Sequence, residues 1–165
     1  MELYFLRHAI AVERGSPGFE RDSDRPLTPK GVKKMRKIAA GMRALELGVD
    51  AVLTSPYARA RATAEIAAGE LGLMEKLTVV EDLASDGDPE RLVRTIAEEA
   101  ATRVLLVGHE PAMSGLMSVL LSGTEDLSID LRKGGLAKLA VDNLRYGRCA
   151  TLEWLLTPGQ LASLR

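Results

Sequence analysis

Leu3-Tyr4-Phe5-Leu6-Arg7-His8 is the stretch on which the reading of this chain turns. Its apolar run predicts a first strand, and a fixed positive charge and a histidine stand at the carboxyl end of that strand. In open α/β sheets, ligands bind outside the carboxyl ends of the strands. Val104-Leu105-Leu106-Val107-Gly108-His109 repeats the arrangement a hundred residues later. His8 and His109 are the only two histidines in the chain, and both fall where an α/β sheet does its chemistry.

Between and beyond these runs, strand-like and helix-like segments alternate. Glu13 to Arg25 is polar and reads as a loop near the site. Thr28-Pro29 opens a helix, with Thr28 as its N-cap and Pro29 at its first position. Val32, Met35, Ile38, Ala39, Met42 and Leu45 follow at helical spacing, and Gly48 marks the expected stop. Ala51 to Thr54 is a short strand, and Ser55-Pro56 opens a helix running to about Gly72. Leu77 to Val80 reads as a third strand, Asp88-Pro89 as a helix start, and Arg103 to Val107 as the fourth strand. Glu110-Pro111 starts a helix ending near Gly123. Leu136 to Val141 and Ala150 to Leu156 then suggest a strand pair at one side of the sheet. The expected fold is α/β, a three-layer αβα arrangement with helices on both faces of a mostly parallel sheet and an antiparallel strand at one side. Right-handed crossovers would align His8, Thr54-Ser55 and His109 along one sheet edge.

Composition narrows the class. The 165 residues suit a single domain over 1–165 with a sizeable core. A net charge of −1 gives no global field for nucleic acid or an anionic membrane, so neither is expected as a partner. Cys149, the lone cysteine, cannot form an internal disulfide, which fits a reducing compartment. No signal peptide and no membrane-spanning run are read, so a cytoplasmic protein is expected.

The chemistry begins with anions. Arg59 lies one turn beyond Ser55, where a helix start and its free N–H groups favour negative charge. Arg7 and Arg59 can grip phosphate oxygens bidentately. A neutral imidazole between them is a competent nucleophile, because neighbouring positive charge disfavours its protonation. The second histidine can donate to a phosphoryl oxygen during transfer. Two histidines without a carboxylate cluster make a poor metal site, so no metal and no cofactor is expected. Blander readings cover much else: Ser55 and Thr28 as helix caps, Arg61 as a solvated charge, and Glu13, Arg14, Glu20, Arg21 and Asp22 as an exposed loop. Cys149 reads as a packed thiol.

Taken together, Arg7-His8-Ala9, Ser55-Pro56-Tyr57-Ala58-Arg59 continuing to Thr63-Ala64, and Gly108-His109 resemble the histidine phosphatase superfamily, the phosphoglycerate-mutase-like fold. The resemblance implies that His8 becomes phosphorylated, that Arg59 binds phosphate and that His109 is the second pocket histidine. Ala9 departs from the family's usual glycine. The short length, the segment Asp24 to Gly31 and the ending Leu152 to Pro158 look most like the small SixA-type phosphohistidine phosphatases. With little room for a cap, the site suits a phosphorylated protein side chain. A small phosphate ester is the alternative substrate, and a phosphate-sensing module with little turnover the alternative class. His8, Arg7, Arg59 and His109 are expected to carry the reaction, with Arg25 at the pocket mouth. Glu81 and Asp82 are the candidates for a general acid. A monomer is expected.

Overall fold

The computed structural model describes residues 1–164. Its six strands are β1 (Glu2–Arg7), β2 (Ala51–Thr54), β3 (Leu77–Val79), β4 (Arg103–Gly108), β5 (Leu136–Val141) and β6 (Ala150–Leu156). The helices are α1 (Pro29–Ala44), α2 (Ala58–Leu71), α3 (Pro89–Glu98), α4 (Ala112–Ser122) and α5 (Pro158–Ser163). The strands form one sheet in the order β3-β2-β4-β1-β5-β6. β3, β2, β4 and β1 pair in parallel, β5 runs antiparallel to β1, and β6 antiparallel to β5. The expected three-layer α/β fold is therefore present, with two strands at the antiparallel side.

The alternation of side chains along each strand builds a core on each face of the sheet. Tyr4, Leu6, Val52, Leu105 and Val107 pack against α1, α2 and α5 through Met35, Ile38, Met42, Ala64, Ala68 and Leu161. Leu3, Phe5, Leu53, Val104 and Leu106 pack on the opposite face against Leu92 and Ile96 of α3 and Leu116 and Leu120 of α4. Central strands covered on both faces read as continuous apolar runs, which is why β1 and β4 were so legible. Truncating a fully buried core residue such as Leu106 to alanine costs about 2–5 kcal/mol.

Local chemistry sets most element ends. Thr28 caps α1 by accepting from the Gly31 N–H, and Asp88 caps α3 by accepting from Glu90 and Arg91. Gly123 ends α4 in the left-handed conformation. α1 stops at Ala44, ahead of the expected Gly48, because Glu46 (φ 49°) and Gly48 (φ 62°) already turn the chain back. α2 starts at Ala58, with Tyr57 at the N-cap position, so Ser55 is not its cap. Gly31 matters for a different reason: a Cβ there would lie 2.0 Å from the carbonyl oxygen of Ile10, so α1 can approach the segment after β1 only through glycine.

Candidate active site

The sheet delivers three residues to one edge. His8 continues β1, with its N–H donating to Gly108 O at 3.0 Å. Ser55 continues β2, donating to Val107 O at 3.0 Å, and His109 follows β4 directly. The rings of His8 and His109 stand 5.2 Å apart, centre to centre. α2 supplies Arg59, and Thr63 one turn later ties it to the backbone just after His8. Thr63 Oγ1 accepts from the Ala9 N–H at 3.0 Å and donates to Arg59 O at 2.7 Å.

The hydrogen bonds fix the state of His8. Its Nδ1 meets Ala9 O at 2.7 Å, so the ring proton sits on Nδ1 and the lone pair on Nε2. Arg59 Nε donates to that Nε2 at 3.2 Å. Burial lowers the His8 pKa to about 4; the bond to Ala9 opposes the shift, and Arg59, Arg7 and Lys133 add to it. The imidazole is thus neutral at pH 7, as expected, but burial rather than the neighbouring charges is the larger cause.

His109 is more buried still, at 1% exposure, and burial followed by Arg59 and His8 lowers its pKa to about 3. Its Nε2 lies 2.7 Å from Ser55 Oγ, while its Nδ1 is buried without a hydrogen-bond partner. Ser55 Oγ also accepts from the Tyr57 N–H at 3.2 Å. The Tyr57 ring covers one side, 4.9 Å from the His109 ring and 5.1 Å from the Arg59 guanidinium carbon. The Ser55 hydroxyl therefore serves the histidine and a turn, not a helix cap.

Asp22 was expected in an exposed loop and is instead central to the arginines. It opens a 3₁₀ turn, Asp22–Asp24, and is half-buried. Arg59 donates to its backbone oxygen at 2.6 Å and to Oδ2 at 2.9 Å. Arg25 donates to Oδ1 through Nε at 3.0 Å and through Nη2 at 2.8 Å, and Arg14 reaches the same oxygen at 3.0 Å. Burial alone would raise the Asp22 pKa, but Arg25 and Arg59 override it and hold the pKa at about 2. Burial works against the charge of Arg59, and Asp22 supports it.

Other expected residues are placed as follows. Arg7 donates to Leu131 O at 3.0 Å and keeps a buried Nε without a partner. Arg25 bonds Asp22 and the Val12 carbonyl through three of its five N–H groups. Asp82 is engaged by Arg91 at 2.7 and 2.9 Å, and that bond holds its carboxyl below the usual range. A carboxylate so held is a poor proton donor. Glu81 stands at the rim beside Tyr57 and Ser23. Arg61 is exposed, 3.9 Å from Glu65, as expected. Among the described residues no group of three or more His, Cys, Asp or Glu is placed to hold a metal ion. Thr63 stands in the sequence motif without a role of its own, and the site role of Asp22 was missed. The one signal was the dense Arg-Asp-Ser-Asp-Arg run at 21–25, which reads equally as a solvated loop.

Comparison with known proteins follows the same lines. The model of the histidine phosphatase superfamily (branch 1) matches residues 3–85. An uncharacterised protein of Picosynechococcus sp. is 38% identical over 143 residues, 84% of either chain. The phosphohistidine phosphatase SixA of Escherichia coli K12 is 26% identical over 164 residues, 98% of this chain and 96% of that one. A solved structure of the protein histidine phosphatase SixA complexed with tungstate superposes with a TM-score of 0.81 at 26% identity, covering 98% of this chain and 99% of that one.

Proposed function

The chain belongs to the histidine phosphatase superfamily, in its SixA-type branch, and on that footing we propose that this phosphatase acts on protein phosphohistidine through a covalent intermediate on His8. The observation that carries the reading is the presentation of His8: Nδ1 locked to Ala9 O, and the Nε2 lone pair directed at Arg59. In the first step Nε2 attacks phosphorus, forming a P–N bond as the bond to the leaving group breaks in line. The leaving imidazole takes its proton from solvent, so no dedicated acid is needed. Water then attacks phosphorus, releasing phosphate and returning the electron pair to Nε2.

Arg59 and Arg7 hold the transferring group. Arg59 keeps two N–H groups on Asp22, and its Nε–H leaves His8 when the Nε2 lone pair turns to phosphorus, so three of its five N–H groups serve phosphoryl oxygens. The unpartnered Nε of Arg7 is a further donor. Ser55, already accepting from Tyr57, turns its O–H to His109 Nε2, which leaves the His109 proton on the unpartnered Nδ1. That N–H donates to a phosphoryl oxygen as charge redistributes. Asp22 is a positioning residue, acting through Arg59. The tungstate in the related structure, a tetrahedral oxyanion, supports a phosphoryl position of this kind.

A protein substrate is favoured by two short connections at this edge, three residues between β2 and α2 and three between β4 and α4; the long connection from β1 to α1 folds back onto Arg59 through Asp22. A monomeric, cytoplasmic, single-domain protein belongs to the same proposal; no described helix is long and apolar enough to cross a membrane. The test is phosphate release from a phosphorylated histidine-containing phosphotransfer protein against a panel of sugar and nucleotide phosphates. A higher kcat/KM on the phosphoprotein is expected. A preference for any small ester would replace this reading with that of a small-molecule phosphatase.

A further inference from the structure

We infer that the pocket walled by Arg7, Lys34 and Lys133 is a second anion subsite, and that preferred substrates carry another anionic group beside the phosphoryl group. The inference rests on the proposed function, which puts the phosphoryl group against His8 and Arg7.

The pocket is a shallow, open cleft of about 520 Å³ between α1, the segment before β5 and the start of α5. Arg7 lines it, so it shares a wall with the catalytic site. Its charged lining is entirely cationic: Arg7, Lys34, Arg132 and Lys133. Among the described residues only Arg132 has a carboxylate partner, Asp130 at 2.8 Å. Lys34 is half-buried and Lys133 exposed, and neither has an ion-pair partner among the described residues. Uncompensated cations around a concavity raise the local concentration of anions. The charge of Lys133 is felt at His8, which places it within electrostatic reach of the reacting nitrogen.

The opposite flank gives the inference a direction. The cavity beside Tyr57 is lined by Asp24, Glu65 and Glu81 with Arg61 as its one cation. A substrate with a second negative charge is therefore drawn to the α1 side and repelled from the α2 side. A carboxylate next to the phosphorylated group and a second phosphate share the required chemistry: charge-assisted acceptance from ammonium and guanidinium donors.

Calorimetry with three non-hydrolysable phosphonates reads the subsite directly. Ethylphosphonate has one anionic group, 3-phosphonopropionate adds a carboxylate, and methylenebisphosphonate adds a second phosphonate. Wild-type protein should bind at least one of the last two about tenfold more tightly than ethylphosphonate. Which of them wins separates a carboxylate from a phosphate source. Lys34→Gln/Lys133→Gln should bring that ratio close to one, and Lys34→Arg/Lys133→Arg should keep most of it. Equal affinities in the wild type, a ratio that survives the glutamine pair, or no binding of any phosphonate would overturn the subsite. Failure of the separate turnover assay would overturn the phosphatase reading while leaving this binding comparison intact.

Discussion

His8 and His109 stand on backbone that the sheet itself holds in register, one residue beyond β1 and β4, whose central residues are buried. Asp22 reaches the same arginine from a three-residue helical turn in a loop whose neighbours Glu20, Arg21 and Asp24 are exposed. The groups proposed to make and break bonds are anchored in the core, where displacing them would cost several buried side chains. The group that steers them hangs from the surface and holds by charge. Such a division lets the electrostatics of the site be altered without disturbing the fold.

The largest expected effect strikes the anchored half. His8→Ala should lower turnover by on the order of 10⁴-fold or more, the scale reached when a nucleophile is removed. The radiolabel that wild-type protein retains after an alkaline quench should vanish with it, while circular dichroism stays native. Near-normal activity in this variant would end the covalent mechanism.

Next comes the residue that joins the halves. Arg59→Ala should cost on the order of 10²–10³ in kcat, the scale of losing one preorganised electrostatic group. Arg61→Ala, two residues along and exposed, should change kcat by no more than about twofold, as surface charges usually do. Equal losses would assign the phosphate to the wrong arginine.

Asp22→Asn isolates the loop half. With Arg59 less firmly held, kcat should fall by about tenfold, less than for removing the arginine itself. Tungstate affinity should rise several-fold, because a carboxylate no longer competes for the guanidinium. If kcat and tungstate affinity fell together, Asp22 would merely order the loop, and the contrast between the two regions would dissolve.

The smallest effect is a slope. The unfolded chain titrates its histidines near 6.5, whereas burial holds His8 at about 4 and His109 at about 3 in the fold. Between these limits the unfolded state binds more protons. The stabilisation is therefore complete above about pH 6.5 and is lost as pH falls toward 4 and then 3, by at most about 1.4 kcal/mol per pH unit per imidazole. Urea unfolding at pH 7 and pH 5 should show it, and His109→Gln should flatten the slope. A stability that does not change over this range would contradict the buried, neutral pair.

Legibility in the sequence followed the same division. β1, β2, β4, β5 and β6 are readable because buried strands announce themselves as apolar runs or alternations. His8, His109 and Arg59 could be named because they lie at fixed offsets from such runs. Asp22 carries no period and no offset. Its role depends on where a long loop folds back, which short-range pattern does not encode. Ser55 was read as a cap because Ser-Pro commonly precedes a helix, but the hydroxyl is drawn to His109 by the sheet that brings them together. Arg25 reads from the sequence as a residue of the pocket mouth, and in the fold three of its five N–H groups go to Asp22 and Val12 O.

The close approach at Gly31 limits which descendants this chain can have. The carbonyl it faces belongs to Ile10, two residues past His8, and accepts from the Thr28 N–H at 3.0 Å. Any side chain at position 31 must push either the helix or that carbonyl aside. Drift at this position is thus closed to every residue but glycine, although the position touches no substrate. A mutational scan would record an intolerant site on a helix otherwise free to vary along its outer face.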